Sequence, residues 1–248
     1  MTINLDTFYS QETIDEWKQI IGEELHYHSG YFTGNEDLEI GLRQTVRNFY
    51  PHIPVDTRVL DVGCGWGGPA TMLIQEKQCI VQGVSISSAQ VAYCQSIGLD
   101  VWPCDIEQDP ISGVYDVVFM LEVLSHIRNK ADVLAKLRPL APRLILSTNC
   151  IADNIQGTRT TFGGSMELCS HSELVQMVEC AGWRIQSMRN RRFQSLRTVL
   201  HWKKNLDRVY GDRIPPGQLG VLYNLTETAL QSPVGWCQAF PLIDIVAD

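Results

Sequence analysis

The residues best placed to do chemistry lie in "VLDVGCGWGG", Val59 to Gly68. Gly63, Gly65 and Gly68 satisfy G-x-G-x-x-G, directly after a β-branched run and at the start of a helical pattern. Glycines at that junction let the backbone turn tightly and approach a ligand closely, the requirement of a nucleoside-cofactor loop. The spacing alone leaves a nicotinamide-dependent dehydrogenase open, and an ordinary strand–helix turn as well. Asp61 narrows the choice. It stands two residues before the first glycine, where a carboxylate would repel a dinucleotide's pyrophosphate. S-adenosylmethionine (SAM) would instead bring a cationic α-amino group and a sulfonium. A carboxylate that merely stabilises the N-terminus of the next helix is the alternative reading of Asp61.

These residues need a scaffold, and the chain supplies a regular one after residue 57. "RVLDVGC", "CIVQGVSI", "LDVWPCDI", "YDVVFMLEV" and "RLILSTN" read as strands, and "GPATMLIQEK", "SAQVAYCQSIG" and "KADVLAKLRPL" as the helices between them. Near-continuous apolar strands alternating with helices imply a parallel sheet covered on both faces. Before residue 57, two helices are expected over 10–24 and 35–50, joined by "LHYHSGYF". After residue 150 come an irregular stretch, helix "SHSELVQMVECAG", strand "WRIQSMRN", helices over 196–210 and 217–231, and a closing apolar strand, "AFPLIDIVA". An irregular stretch as long as 149–170 in a compact domain points to function.

Composition bounds the partners. The 248 residues suit one α/β domain, 44% of them hydrophobic. A net charge of −8 argues against nucleic acid or a membrane surface, either of which would want a basic face. No apolar run approaches the ~20 residues that span a bilayer. The acidic, polar start "MTINLDTFYSQETIDEW" is unlike a signal peptide. The eight cysteines form no Cys-x-x-Cys pair, and Cys79, Cys94 and Cys180 fall in apolar segments. They read as small buried hydrophobes in a reducing cytosol, with no metal site expected.

"VLDVGCGWGG" resembles motif I of the class I SAM-dependent methyltransferases, and the pattern over 57–188 is similar to their Rossmann-like α/β fold, a mostly parallel seven-stranded sheet. The resemblance implies a single domain over 1–248: a helical lid (1–56), a SAM-binding core (57–188), a substrate-capping helical insertion (189–235) and a last strand (236–248). It places Asp61, Gly63 and Gly65 at the methionine half of SAM, with Trp66 against the cofactor or in the core. Most members close the second strand with an acid that binds the ribose, whereas here Ser85 stands. "VSISSAQ" is similar to a subgroup related to cyclopropane fatty acid synthases and tocopherol-type methyltransferases, which assigns Ser85, Ile86 and Gln90 to the ribose. A hydroxyl and an amide can serve a diol that both donates and accepts. Ser87-x-x-Gln90 reads equally as a helix capping box. Asp105 and Ile106 fall where the family contacts adenine, although Asp105 is also a turn former. Leu121, closing the fourth strand, completes the cofactor set. In "LHYHSGYF", Tyr27, Tyr31 and Phe32 match an aromatic lid whose rings close over the sulfonium, a favourable place for a cation. His26 and His28 lack the acidic company of a metal site.

On the substrate side, "LEVLSHIRNK" puts Glu122 and His126 at the carboxyl end of the fourth strand, where open parallel sheets bind ligands. His126 can be a general base, a substrate contact or a structural histidine. Lipid cyclopropanation in the subgroup relies on a glutamate just before the histidine, and Ser125 occupies that place, which weighs against that reaction. "MRNRRFQSLR" gathers Arg189, Arg191, Arg192 and Arg197. They read as a solvated loop or as a clamp for an anionic substrate. On strand alternation the pair Arg189 and Arg191, or Arg192 alone, points inward. The expected protein is a cytoplasmic SAM-dependent methyltransferase acting on an oxygen, carboxylate or hydroxyl, of a small molecule or small peptide natural product. N-methylation of a small amine, a dehydrogenase and a silent SAM-fold partner subunit are the alternatives.

Overall fold

A computed structural model describes residues 12–155, 159–161 and 164–248. Its centre is a seven-stranded sheet in the order β3-β2-β1-β4-β5-β9-β8. The strands are β1 (Arg58–Val62), β2 (Ile80–Ser85), β3 (Asp100–Pro103), β4 (Val117–Leu121), β5 (Arg143–Asn149), β8 (Ile185–Asn190) and β9 (Leu242–Ala247). β1 to β5 pair in parallel, while β9 runs antiparallel to both β5 and β8, between them. This is the mostly parallel α/β sheet that the sequence implies. The two-residue strands β6 (Thr160–Thr161) and β7 (Met166–Glu167) form a small separate ladder in the irregular stretch.

Strand alternation builds two apolar layers, because successive side chains point to opposite faces. Leu60, Val62, Val118, Met120, Leu144 and Leu146 face one layer, with Leu134, Leu137, Leu174, Val178 and Trp183. Those come from α5 (Lys130–Leu137), from α6 (His171–Cys180) and from the segment leading into β8. Val59, Phe119, Ile145 and Val246 face the other, with Val46 of α2 (Leu38–Arg47) and Leu73 of α3 (Gly68–Lys77). A helix α4 (Ser88–Ser96) lies beside β3.

A third apolar cluster sits above the sheet's carboxyl end. It joins Trp17, Ile20 and Ile21 of α1 (Ile14–Ile21) to Trp202 and Leu206 of α7 (Arg192–Tyr210) and to Leu219 and Leu222 of α8 (Gly217–Gln231), with Trp66 from the glycine loop. The N-terminal segment and the late helices therefore share one core.

Several boundaries differ from the sequence expectation. Ser10 lies outside the described residues, and α1 begins after Thr13, whose hydroxyl and Glu16 form a capping box. Helix α7 starts at Arg192, not at residue 196, directly after β8 ends at Asn190, whose Oδ1 accepts the Arg192 N–H at 3.0 Å. The expected strand "AFPLIDIVA" begins only at Leu242, since Pro233–Ala239 forms a further helix, α9. Cys180 is exposed, so the reading of all cysteines as buried fails there, while the other seven are buried and all eight are free thiols.

Candidate functional site

Each parallel strand delivers a residue from its carboxyl end to one cavity of about 900 Å³. They are Asp61 from β1, Ser85 from β2, Asp105 just after β3, Leu121 and Glu122 at the end of β4, and Asn149 from β5. The volume lies at the upper part of the range for small-ligand sites.

Asp61 is 2% exposed, and its Oδ2 has no hydrogen-bond partner. Burial pushes its carboxyl up to about 7. A buried acceptor left unmatched at the mouth of a glycine loop is the complement of a cationic donor. Gly63 and Gly65 have left-handed φ of 70° and 57°. A Cβ on Gly63 would stand 2.3 Å from Val123 Cγ2, whereas one on Gly65 would meet no protein atom within 4 Å. Gly63 is confined by Val123, whereas Gly65 faces open cavity.

The "VSISSAQ" segment serves both of its readings in part. Ser87 Oγ accepts from the Gln90 N–H at 3.3 Å, which caps α4. The Gln90 side chain does not complete a capping box. Its Oε1 accepts from Ser85 Oγ at 2.8 Å, and the Ser87 N–H donates to the Ser85 oxygen at 3.1 Å. Ser85, Ile86 and Gln90 all line the cavity. Asp105 likewise combines two roles, since Oδ1 accepts the Glu107 N–H at 3.0 Å in a turn while the residue lines the cavity beside Ile106.

Of the aromatic lid, Tyr27 lines the cavity together with Trp66. Its ring packs 4.9 Å from Trp17 and 6.0 Å from Trp202, and Gln218 Nε2 donates to its hydroxyl at 3.1 Å. Tyr31 is not among the lining residues; its ring lies under the Arg189 guanidinium at 5.1 Å. Phe32 stacks on His201 at 5.6 Å in the lid core. His28 Nδ1 lies 3.1 Å from Ser29 O, and His26 Nδ1 lies 3.2 Å from His28 Nε2. If His28 donates to that carbonyl, His26 must donate to His28. Burial lowers His28 to about 4, so this chain is neutral near pH 7.

His126 lines the cavity from a short 3-10 turn, Leu124–His126. Its Nδ1 lies 3.0 Å from Ser165 O, which fixes the proton there and makes Nε2 the ring's acceptor. Burial lowers its pKa to about 4. Ser125 is fully buried and not among the lining residues. Glu122 is held differently. Its Oε1 accepts from Ser29 N at 2.7 Å and Arg191 Nη2 at 3.1 Å, and its Oε2 from Ser29 Oγ at 3.0 Å and Asn149 Nδ2 at 3.3 Å. Its backbone sits at φ 56°, a left-handed conformation held in place by those contacts. A carboxylate so engaged is held in one orientation at the cavity wall.

The arginine cluster disperses. Arg189 pairs with Asp244 at 2.9 Å. Arg191, fully buried, pairs with Asp244 at 2.8 Å and Glu122 at 3.1 Å, and its Nη1 donates to the Ser29 and Gly30 carbonyls. Arg197 donates to Asn35 Oδ1 at 2.9 Å. Only Arg192 lines the cavity. Of the two alternatives from strand alternation, Arg192 alone is the one that reaches the cavity, and Arg191 lies just past the end of β8 at Asn190.

Ser29, Asn149, Ser165 and Trp236 also line the cavity without having been singled out from the sequence. Asn149 was within reach, as the last residue of a strand whose carboxyl end faces the ligand side. Trp236 carried no signal, since the helix that places it was itself missed. Among the described residues no group of three or more His, Cys, Asp or Glu could hold a metal ion, and no helix is long and apolar enough to cross a membrane.

A family profile described as "Methionine biosynthesis protein MetW" matches residues 43–152. The chain is 34% identical over 87 residues to "Probable (S)-tetrahydroprotoberberine N-methyltransferase 2" of Papaver bracteatum, covering 32% of this chain and 24% of that protein. It is 24% identical over 216 residues to "Probable fatty acid methyltransferase" of Pseudomonas putida, covering 75% of this chain and 54% of that protein. The matches thus span about a quarter to a half of these relatives' length. The fold is similar to the cyclopropane synthase MmaA2 of Mycobacterium tuberculosis, with TM-score 0.81 at 15% identity over 99% of this chain and 97% of that one. It is also similar to coclaurine N-methyltransferase bound to N-methylheliamine and SAH, with TM-score 0.78 at 18% identity over 100% of this chain and 82% of that one.

Proposed function

We infer, from a chain that has the fold and cofactor loop of the class I SAM-dependent methyltransferases, that the protein transfers a methyl group from SAM to an oxygen of a small molecule. The observation that carries the cofactor is Asp61, a buried carboxyl with an unmatched oxygen beside the glycine loop. In this reading Asp61 receives the α-amino group, Ser85 and Gln90 the ribose, and Asp105 with Ile106 the adenine. Gly63 and Gly65 let the backbone approach, and Trp66, Tyr27, Ile86 and Leu121 pack against the ligand. The segments 12–56 and 189–239 form the roof.

Bound SAM supplies an already activated methyl group on a sulfonium. The chain supplies alignment, exclusion of water and a destination for the proton. His126, neutral at pH 7, presents Nε2 to an acceptor hydroxyl. That nitrogen would take the acceptor's O–H proton, and the cofactor would supply the methyl group and keep the electron pair of its S–C bond as S-adenosylhomocysteine (SAH). Glu122 positions Ser29, Asn149 and Arg191 around the acceptor and stays an ion-paired carboxylate. The substrate in this reading is a small molecule bearing an anionic group. Asp61 distinguishes the reading from a dehydrogenase, whose pyrophosphate would meet that carboxyl.

Two measurements test the reading. Asp61 is raised in the free protein, so its own contribution to stability is present at low pH and is lost as pH rises through about 7. A cationic ligand reverses this by favouring the carboxylate. SAH binding is therefore expected to expel close to one proton at pH 6 and less at pH 8, and to weaken as pH falls below 7. Calorimetry in two buffers of different ionisation enthalpy reads the proton directly, and binding without release would remove Asp61 from the amino-group site. For the chemistry, His126→Ala is expected to lower labelled-SAM turnover of a hydroxylated acceptor by roughly 10²-fold with SAH affinity unchanged. Undiminished turnover would point to an acceptor that needs no base.

A further inference from the structure

Among the four clustered arginines, Arg192 stands apart. It is 3% exposed and lines the cavity, and no carboxylate among the described residues pairs with it. Its Nε donates to the Phe240 carbonyl at 2.6 Å, its Nη2 to Asn149 Oδ1, and its Nη1 to Ser195 Oγ at 3.5 Å. The guanidinium lies 4.4 Å above the Trp236 ring. All of these partners are neutral. A guanidinium carries five N–H donors, so one remains on each terminal nitrogen.

Burial lowers Arg192 to about 10, which leaves it cationic at pH 7. The Glu122 carboxylate favours the charged form but forms no direct ion pair with Arg192, and a buried charge without a directly bonded counter-charge is costly. Its neighbour Arg191 shows the ordinary solution, with two carboxylates within 3.1 Å. At Arg192 the corresponding place is taken by an amide. Asn149 turns Oδ1 to Arg192 and Nδ2 to Glu122, which supports the guanidinium without neutralising it.

We propose that Arg192, steadied by Asn149 and Trp236, receives a carboxylate of the substrate, so that the protein acts on small-molecule acids whose methyl acceptor is a different oxygen. The inference rests on the methyltransferase reading of the same cavity. Two adjacent N–H donors on a planar fork match the two oxygens of a carboxylate. A phosphate or diphosphate would call for further cations around the same anion, and Arg192 is supported by neutral groups only. The carboxylate serves as a handle and the acceptor hydroxyl belongs near His126, since a carboxylate engaged by two donors is a weakened nucleophile.

The test uses the full chain, with and without saturating SAH, titrated with hexanoate and phenylacetate and with their primary amides. The acids are expected to bind at least about 10-fold more tightly than the amides. Arg192→Gln should erase that preference while SAH affinity stays within about two-fold, and Arg192→Lys should keep part of it. Equal binding of acids and amides by the wild type, or a preference that survives in Arg192→Gln, overturns the proposal. Tighter binding of hexyl phosphate than of hexanoate overturns the carboxylate assignment. Should Arg192→Gln fail to fold, the wild-type ratio and the Lys variant still decide. A wild-type protein that binds acids but not SAH would instead overturn the methyltransferase reading.

Discussion

Gly65→Val is expected to lower SAM and SAH affinity on the order of 100-fold or more, about 2.8 kcal/mol, while the protein stays folded. A Cβ at Gly65 meets no protein atom within 4 Å, so the volume it would claim is cavity volume. The left-handed φ of 57° adds backbone strain of about 1–2 kcal/mol, a minor part of a typical 5–15 kcal/mol domain stability. Gly65→Ala separates the contributions, bearing much of the strain with less intrusion. At Gly63 the order reverses, because a side chain there strikes Val123 and injures the fold first. Calorimetric titration with SAH, beside thermal melting, reads both effects. Unchanged affinity in a folded Gly65→Val protein would refute the cofactor loop.

The largest loss of stability is expected at Arg191. Arg191→Met should cost about 3–5 kcal/mol, the usual consequence of removing one partner from a buried ion pair. Among the described residues, Asp244, 4% exposed, would keep only Arg189, and Glu122 would lose its ion pair with Arg191. The carbonyls of Ser29 and Gly30 and the Ser147 hydroxyl would each lose a donor. Urea denaturation measures the loss, and the double variant Arg191→Met/Asp244→Asn should recover part of it by removing the stranded charge. A midpoint within about 0.5 kcal/mol of wild type would mean that water replaces the guanidinium, and that the network does not hold the roof.

The sheet was legible because its signals are local. The β-branched run at β1, the glycines after it and the helix "GPATMLIQEK" are contiguous, and each strand of the parallel core announces itself by an apolar run of strand length. Ser85 and Gln90 were legible for the same reason, five residues apart and joined by one hydrogen bond. The arginines were not. Asp244, the group that claims Arg189 and Arg191, lies in β9, and nothing in the spacing around Arg191 announces a partner 53 residues later. Tyr31, matched to the lid by motif, lies under Arg189 and outside the cavity lining, a placement set by a contact that the motif does not encode. The helix Pro233–Ala239 is too short to show a periodicity, so Trp236 stayed invisible.

The placement of β9 has a consequence for the order in which the site can be assembled. The cavity-lining strand ends from Asp61 to Glu122 come from one contiguous span of chain. The two segments that cover the cavity are tied to each other by bonds that join residues 162 and 168 positions apart, from Arg191 Nη1 to the Ser29 carbonyl and from the Gly30 N–H to Thr198 Oγ1. Arg191 cannot reach its register beside Asp244 until β9 has slid between β5 and β8. Contacts of such sequence separation are favoured only after the entropy of closing long loops has been overcome, and they tend to form slowly. The parallel strands β1 to β4 are therefore expected to pair before the segments around Ser29 and Arg191 meet. A chain halted between those stages would leave the carboxyl ends of the strands open to water, with the cavity not yet enclosed.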